Sequence, residues 1–191
     1  MRPVGEGITF EVLTQIGAIL QGHFLLTSGR HSAVYCEKFR LLERPALLEK
    51  ATAAMLAPFR TMAIEGVVGP TLGGVIVAYE AARQLSVQAF YAEREGEGRA
   101  FRRDGAPELG MRLLVVDDVL TTGGSIREVL SLLQRYAVQV VGIGVLIDRS
   151  ETPPDFGYPL SSALRLPADS YAPEECPLCR QGIPLTKRGS R

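Results

Sequence analysis

Two kinds of hydrophobic pattern alternate along most of this chain. Short runs that are continuously apolar are typical of strands buried on both faces, and apolar residues spaced three and four apart are typical of amphipathic helices. The predicted strands are 66–69, 88–92, 113–116 and 138–147, and the predicted helices are 10–20, 45–59, 75–85 and 126–136. Because strands and helices alternate, we expect an α/β fold in which helices flank a central, mainly parallel sheet.

Two segments do not fit this alternation. Residues 22–42 contain the turn sequence TSGR at 27–30, between short runs that could pair as strands. We expect this segment, with part of 155–175, to form a small hood outside the main sheet. Residues 93–110 combine charges of both signs with four glycines and a proline, which is typical of a flexible loop.

Length and charge narrow the class of protein. With 191 residues, of which 46% are hydrophobic, the chain is expected to form one domain, 1–191, that ends in a tail over 176–191. Its 21 basic residues equal its 21 acidic residues, so no positive field indicates binding to nucleic acid or to a membrane surface. No apolar run approaches the roughly 20 residues that span a bilayer, and the N-terminus lacks a signal-peptide pattern. These features, with only three cysteines, predict a cytoplasmic protein.

The strongest chemical signal is the run LLVVDDVLTTGGS at residues 113–125. A buried strand there would deliver Asp117 and Asp118 to the sheet edge at which α/β proteins bind ligands, and paired carboxylates suit ribose hydroxyls or a hard cation. The turn after them opens a helix with hydroxyl side chains and free backbone N–H groups, which suit a phosphate. The alternative is an ordinary strand-to-turn boundary in which Ser125 only caps the helix. The motif is neither a P-loop nor a dinucleotide-binding fingerprint.

A second glycine-rich turn, GPTLGG at residues 69–74, also follows a predicted strand and precedes a predicted helix. Its backbone N–H groups could converge on another anion, although a Gly/Pro turn also commonly just joins a strand to a helix. Two such sites in one sheet would suit a substrate with a monophosphate at one end and a diphosphate at the other.

The run VVDDVLTTGGS resembles the motif with which type I phosphoribosyltransferases bind 5-phosphoribosyl 1-diphosphate (PRPP), and GPTLGG resembles their pyrophosphate loop. The chain also contains GHFLLTSGRHS, the arginine-bearing loop and LIDRSE. These motifs occur in the order found in the branch of this family that uses orotate, and the resemblance to that branch covers most of the chain. The resemblance implies the type I phosphoribosyltransferase fold and transfer of the phosphoribosyl group from PRPP to orotate in pyrimidine biosynthesis. It also implies Mg²⁺ as the cofactor and a homodimer with shared active sites.

The resemblance assigns roles to individual residues. Those implied to bind PRPP are Arg94, Asp117, Asp118, Val119, Leu120, Thr121, Thr122, Gly123, Gly124, Ser125, Thr71 and Gly73. Asp117 and Asp118 would position the ribose and, with PRPP, Mg²⁺. Orotate is assigned to Thr121 and Arg149, since a guanidinium can bind a carboxylate through two hydrogen bonds. The alternative for Arg149 is a surface ion pair with Asp148 or Glu151.

Cationic side chains in the predicted loop would stabilise charge on the leaving pyrophosphate. The candidates are Arg94, Arg99, Arg102 and Arg103, of which Arg94 and Arg99 are the predicted catalytic residues. The family usually has a lysine directly after the arginine that matches Arg94, whereas this chain has Glu95. A solvated hairpin whose charges only maintain solubility is the alternative.

Other features of the sequence stay open. Cys176 and Cys179 form a C-x-x-C pair that could be half of a zinc site, completed by Cys36, a histidine or a second subunit, or could belong to a plain C-terminal tail. His23 and His31 receive no role. Two other functions remain possible: a type I phosphoribosyltransferase for a purine or uracil, which would not need Arg149, and a non-catalytic PRPP-sensing regulator. The segment before the hood is too short for the helix-turn-helix module that such a regulator usually needs.

Overall fold

The computed structural model describes residues 8–26, 28–102, 104–167 and 169–188. In chain order the helices and strands are α1 (Phe10–Gln15), β1 (Ile19–Leu25), β2 (His31–Cys36), α2 (Phe39–Leu42), α3 (Pro45–Leu56), β3 (Gly66–Pro70), α4 (Gly73–Leu85), β4 (Gln88–Glu95), β5 (Gly98–Ala100), β6 (Arg112–Leu120), α5 (Gly124–Leu133), β7 (Gln139–Asp148), β8 (Leu160–Arg165), β9 (Ser170–Tyr171), α6 (Pro177–Arg180) and β10 (Thr186–Lys187). Within these ranges, no helix is long and apolar enough to cross a membrane.

The main sheet has six strands in the order β5-β4-β3-β6-β7-β8, and all neighbours are parallel except β4 and β5. Strand β6 lies at its centre and is buried on both faces. Leu114 and Val116 point into a core shared with α3 and α4, while Leu113 and Val115 point into a core shared with α5. The prediction of a mainly parallel sheet flanked by helices is therefore confirmed. The continuous apolar run in β6 requires helices on both faces of the sheet to bury it.

Strand β6 is longer than predicted, because it continues through both acids to Leu120. Its pairing with β3 ends at Val115, whereas its pairing with β7 continues as far as Leu120. Asp117 and Asp118 therefore lie within β6 and past the last paired residue on the β3 side. This leaves them beside the loop that joins β3 to α4.

The first two predicted helices end earlier than expected. The helix predicted over 10–20 ends at Gln15, because the chain turns at Gly17 with a φ of 74° and Ile19 then pairs with Cys36 in the hood. The helical apolar spacing continues to Leu20, but pairing with β2 makes Ile19 and Leu20 part of a strand. The helix predicted over 45–59 ends at Leu56 and continues as one 3₁₀ turn that contains Pro58, whose missing N–H cannot extend an α-helix.

Helices α4 and α5 each begin two residues before their predicted starts. Helix α5 ends at Leu133, and the rest of its predicted range, 134–136, is a 3₁₀ turn. The helices therefore begin at the glycines themselves, directly after the turns that the sequence motifs predicted.

The segment 93–110, which is predicted to be a flexible loop, begins with regular structure. Strand β4 continues to Glu95 and pairs with the antiparallel strand β5, with Arg94 opposite Arg99. The ring of Phe101 then packs edge-on against Phe90 and Tyr136, with ring centroids 6.5 Å and 5.1 Å apart. Movement of this segment during a reaction stays a prediction.

A separate four-stranded sheet, in the order β10-β1-β2-β9, forms the hood. This sheet contains residues from the predicted segment 22–42. From the predicted segment 155–175 it contains only β9, because β8 pairs with β7 in the main sheet. The tail contributes β10, which lies parallel to β1. Thr27 of the predicted turn lies outside the described residues, and Gly29 of that turn has a φ of 80°.

We expect the Leu114→Ala substitution to lower the free energy of unfolding by about 2–5 kcal/mol, because it leaves a cavity at the centre of the sheet. Leu114 is 0% exposed, and Leu109, which is 82% exposed, provides the matched control. Leu109→Ala should change stability by no more than about 0.5 kcal/mol. Urea unfolding followed by circular dichroism measures both, and equal effects of the two substitutions would contradict this packing.

Candidate active site

A cavity of about 850 Å³ lies between the hood and the carboxyl ends of β3, β6 and β7. A second cavity of about 270 Å³ adjoins it at the turn between β6 and α5 and shares Asp117, Val119, Thr121, Thr122 and Ser125 with it. All the residues predicted to bind PRPP, except Arg94, line one of these two cavities. The two residues predicted to bind orotate, Thr121 and Arg149, both line the larger one.

The turn before α5 has the features of an anion site. Gly123 precedes the helix with a φ of 80°, and a Cβ atom there would lie 2.6 Å from the ring of Phe156, so no larger residue fits. No side chain caps the helix, and Ser125 lies inside it. The alternative in which Ser125 only caps α5 is therefore wrong. The first backbone N–H groups of this ten-residue helix can instead bind an anion.

Asp117 and Asp118 are only 7% and 4% exposed. Each has one carboxylate oxygen that accepts a backbone hydrogen bond: Oδ1 of Asp117 from the N–H of Asp118 at 2.8 Å, and Oδ1 of Asp118 from the N–H of Val119 at 2.7 Å. Burial, together with the charge of Asp118, raises the pKa of Asp117 to about 7. In the free protein, ionisation of Asp117 next to the charged Asp118 is therefore unfavourable.

Lys38 was not found by sequence reasoning, because it belongs to no motif and follows β2 in the hood. Its Nζ lies 2.7 Å from Oδ2 of Asp118, and its side chain lines the larger cavity. Burial alone would lower the pKa of Lys38, but the Asp118 carboxylate outweighs it and leaves that pKa above its usual value. Apart from this ion pair, Oδ2 of Asp118 receives no hydrogen bond.

The loop GPTLGG closes tightly against the acids. A Cβ atom on Gly73 would lie 1.6 Å from Oδ2 of Asp118, and one on Gly69 would lie 2.1 Å from the carbonyl oxygen of Gly74. Only glycine permits both approaches. Thr71 and Gly73 consequently line the same cavity as the carboxylates, and the Thr71–Leu72 peptide bond is cis.

Arg149 reaches the cavity from the end of β7. Its Nη2 donates to the carbonyl oxygen of Val34 at 2.9 Å, while its buried Nε has no hydrogen-bond partner. Burial lowers the pKa of this guanidinium. Among the described residues Arg149 forms no ion pair, and Asp148 instead lies 3.8 Å from Arg165. The alternative of a surface ion pair is therefore wrong.

The neighbouring thiol of Cys36 also lines the cavity, but burial raises its pKa to about 11. At neutral pH it stays protonated, so it is not suited to act as a nucleophile.

The loop arginines lie elsewhere. Arg94 and Arg99 both bind Glu128 of α5, at 3.0 Å and 2.9 Å, and Arg99 also donates to the carbonyl oxygen of Ala92 with its side chain only 2% exposed. Arg102 is half-exposed and lies 3.6 Å from Glu95. None of these three lines either cavity, and Arg103 lies outside the described residues. A catalytic role for any of them stays a prediction.

Comparison with known proteins agrees with this geometry. Residues 41–158 match the family model of the phosphoribosyl transferase domain. Among solved structures, the orotate phosphoribosyltransferase from Aeropyrum pernix is similar with a TM-score of 0.71 and 34% identity, over 82% of this chain and 92% of that one. The adenine phosphoribosyltransferase from Rhodothermus marinus is similar with a TM-score of 0.64 and 25% identity, over 82% of this chain and 97% of that one.

Full-length relatives narrow the relationship further. The orotate phosphoribosyltransferase of Caldicellulosiruptor bescii is 44% identical over 181 residues, which are 95% of each chain. Identity at this level over nearly the whole of both chains, on top of the matched domain, shows that this protein belongs to the phosphoribosyltransferase family and to its orotate phosphoribosyltransferase branch.

Proposed function

We propose that this protein transfers the 5-phosphoribosyl group of PRPP to orotate and releases orotidine 5′-monophosphate and pyrophosphate, a step of pyrimidine (UMP) biosynthesis. The observation that carries the choice of base is Arg149. Its half-buried guanidinium, whose Nε has no hydrogen-bond partner, lines the cavity that also contains the acids and the turn before α5. A carboxylate on the base would satisfy that donor, and adenine and guanine have none.

The two cavities match the parts of PRPP. The 5-phosphate fits the N-terminus of α5, where Thr121, Thr122 and Ser125 add hydroxyl groups. Asp117 and Asp118 would accept hydrogen bonds from the ribose hydroxyls, and the loop around Thr71 and Gly73 would hold the diphosphate. Each part of PRPP is assigned by its charge and by its position along the two adjoining cavities.

The residues present also suit Mg²⁺. Two buried carboxylates provide hard oxygen ligands, and apart from the ammonium of Lys38 the Oδ2 atom of Asp118 has no polar partner. Asp117 and Asp118 would hold the ion together with PRPP. When bound, Mg²⁺ would neutralise charge on the leaving diphosphate.

The protein's own contribution is then positioning and electrostatics. Orotate is already an anionic nucleophile at neutral pH, so no strong base is needed. Arg149 would orient the base by its carboxylate, and the acids would hold the ribose so that a ring nitrogen faces the anomeric carbon. Lys38 would add positive charge near the reacting centre, which favours departure of pyrophosphate.

The proposal includes a homodimer in which the 93–110 segment of one subunit reaches the cavity of the other. Arg94 and Arg102 are exposed and lie outside the cavities of their own chain, which leaves them available to a second copy. Leu72 and Tyr79 are 69% and 63% exposed and lie seven residues apart, hence on one side of α4. Such apolar exposure is typical of a surface covered by another protein.

A cytoplasmic location is also part of the proposal. Cys36, Cys176 and Cys179 are all free thiols in the structure. A reducing compartment maintains thiols in this state, whereas an oxidising one favours disulfides.

The first test is an assay with PRPP and Mg²⁺ that offers orotate, adenine, hypoxanthine, xanthine and uracil in parallel. We expect pyrophosphate release with orotate alone. The Asp118→Asn variant should lose most turnover while still unfolding cooperatively, since it removes a charge that positions the ribose. Turnover with a purine or uracil would assign another base, and PRPP binding without any turnover would indicate a sensor.

Arg149→Gln should reduce kcat/KM for orotate by roughly 10- to 150-fold, the effect of losing a charged hydrogen bond of about 1.5–3 kcal/mol. The affinity for PRPP, measured by calorimetry, should not change. Arg165→Gln, which alters a half-exposed arginine of the neighbouring strand, is the matched control and should retain activity. An equal loss of PRPP affinity in Arg149→Gln would argue against its assignment to the base.

Asp117→Asn should stabilise the free protein, and more so at pH 8 than at pH 5. The folded-state pKa of about 7 lies above the usual 3.8, so the folded protein binds more protons and loses stability as the pH rises between these values. Asparagine removes this cost and keeps the Oδ1 acceptor for the N–H of Asp118.

Thermal unfolding of this variant at both pH values measures the effect, with about 2–4 °C expected for each kcal/mol. Asp155→Asn, at an exposed site, is the control and should show no such pH dependence. A variant that is less stable at pH 8 would contradict the repulsion between the two acids.

A further inference from the structure

Four metal-binding side chains converge outside the substrate cavity, in a cluster formed by His23, His31, Cys176 and Cys179. His23 lies on β1, His31 on β2, and the cysteines at the start and within α6. One ligand atom from each lies within 4.8 Å of all the others. We propose that this cluster binds one Zn²⁺ ion as a structural site that joins the C-terminal segment to the hood.

The distances in the cluster agree with tetrahedral zinc. With Zn–S bonds of about 2.3 Å and Zn–N bonds of about 2.0–2.1 Å, a tetrahedron places sulfur about 3.6 Å from nitrogen and the two nitrogens about 3.3 Å apart. Nε2 of His23 lies 3.5 Å from Sγ of Cys176 and 3.7 Å from Sγ of Cys179. Nδ1 of His31 lies 3.3 Å from Sγ of Cys179 and 3.0 Å from Nε2 of His23. These four distances lie within a few tenths of an ångström of the tetrahedral values, and the other two pairs of ligand atoms lie within 4.8 Å.

The hydrogen bonding of His23 favours a cation over a cluster without metal. Its Nδ1 lies 2.7 Å from the carbonyl oxygen of Ile183, which can only accept, so Nδ1 carries the proton. In the neutral ring, Nε2 then has a single lone pair, and it faces His31 and both thiols. This lone pair can accept a hydrogen bond from only one of these three neighbours, whereas one cation can accept electron pairs from all four ligand atoms.

The contact with Ile183 is also what a zinc ligand requires. Histidines that bind metals usually donate their other ring N–H to a carbonyl or carboxylate, which fixes the tautomer and the ring orientation. His23 is held in this way by the segment that follows α6, the element carrying Cys179. The structure therefore provides both the four ligands and the carbonyl group that orients one of them.

The donor set indicates zinc and a structural role. Two imidazoles and two thiolates form the common Cys₂His₂ combination, and four protein ligands leave no open position for a substrate. Cys36 is not part of the set, since it lines the substrate cavity instead. The three cysteines are free, so both members of the C-x-x-C pair are available as ligands.

The site would stiffen one wall of the substrate cavity. His31 directly follows Arg30, which lines that cavity and donates from Nε to Oγ of Ser170 at 2.8 Å. On the other side, β10 pairs with β1 through Phe24 and Thr186. Zinc would therefore fix the two central strands of the hood, β1 and β2, to the C-terminal segment that carries the cysteines.

Metal analysis of tag-free protein tests this proposal. We expect elemental mass spectrometry to find one zinc per chain. The Cys176→Ser/Cys179→Ser double variant should lose the zinc, and Cys36→Ser, the matched control, should retain it. Cobalt(II) in place of zinc should give the visible bands of a tetrahedral site with thiolate ligands. The double variant should also unfold at a lower temperature and be cut more readily by protease near 176–188, because zinc binds only the folded state.

Several results would overturn the proposal. One is wild-type protein that takes up no zinc after reduction and zinc titration, and another is a Cys36→Ser variant that loses the metal. A Cys176–Cys179 disulfide, detected by mass in protein alkylated under denaturing conditions, would identify a redox pair instead. The wild-type metal content decides the question even if the double variant fails to fold.

Discussion

The repulsion between two adjacent buried carboxylates is the constraint around which this molecule is organised. Strand β6 carries Asp117 and Asp118 past the end of its pairing with β3, so that only β7 continues beside them. The surrounding structure compensates with backbone N–H groups, the ammonium of Lys38 and a loop whose glycines permit close approach. Positive charge brought by a ligand would complete the compensation, so the free site is built for a partner.

Much of this arrangement was predictable because the signals were local. The apolar run of β6 predicts a buried parallel strand, and the turn residues after it predict a helix that begins at an anion site. Arg149 follows a strand that ends at the same edge of the sheet, so its place in the cavity also follows from order along the chain. These features depend on neighbours in sequence or on the general geometry of parallel sheets.

What the sequence did not reveal depends on contacts between distant segments. Lys38 reaches Asp118 only because the hood folds over the main sheet, and no motif marks it. Residues 16–20 have helical spacing, yet pairing with β2 makes Ile19 and Leu20 part of a strand. Arg99 looks like a mobile cation in the sequence, but the hairpin buries it against Glu128. The histidines meet across the β1–β2 hairpin, and the cysteines join them only because the tail returns to the hood.

The pairing of β1 with β10 links the two ends of the chain and therefore sets an order of events during synthesis. The main sheet is complete once β8 has left the ribosome, and domains can begin to fold as they emerge. The hood, although it starts near residue 19, waits for β9 and β10 before its sheet is whole. A nascent chain would thus have the turn before α5 in place before the hood over the cavity is whole, and the complete cavity would have to wait for the pairing of β10.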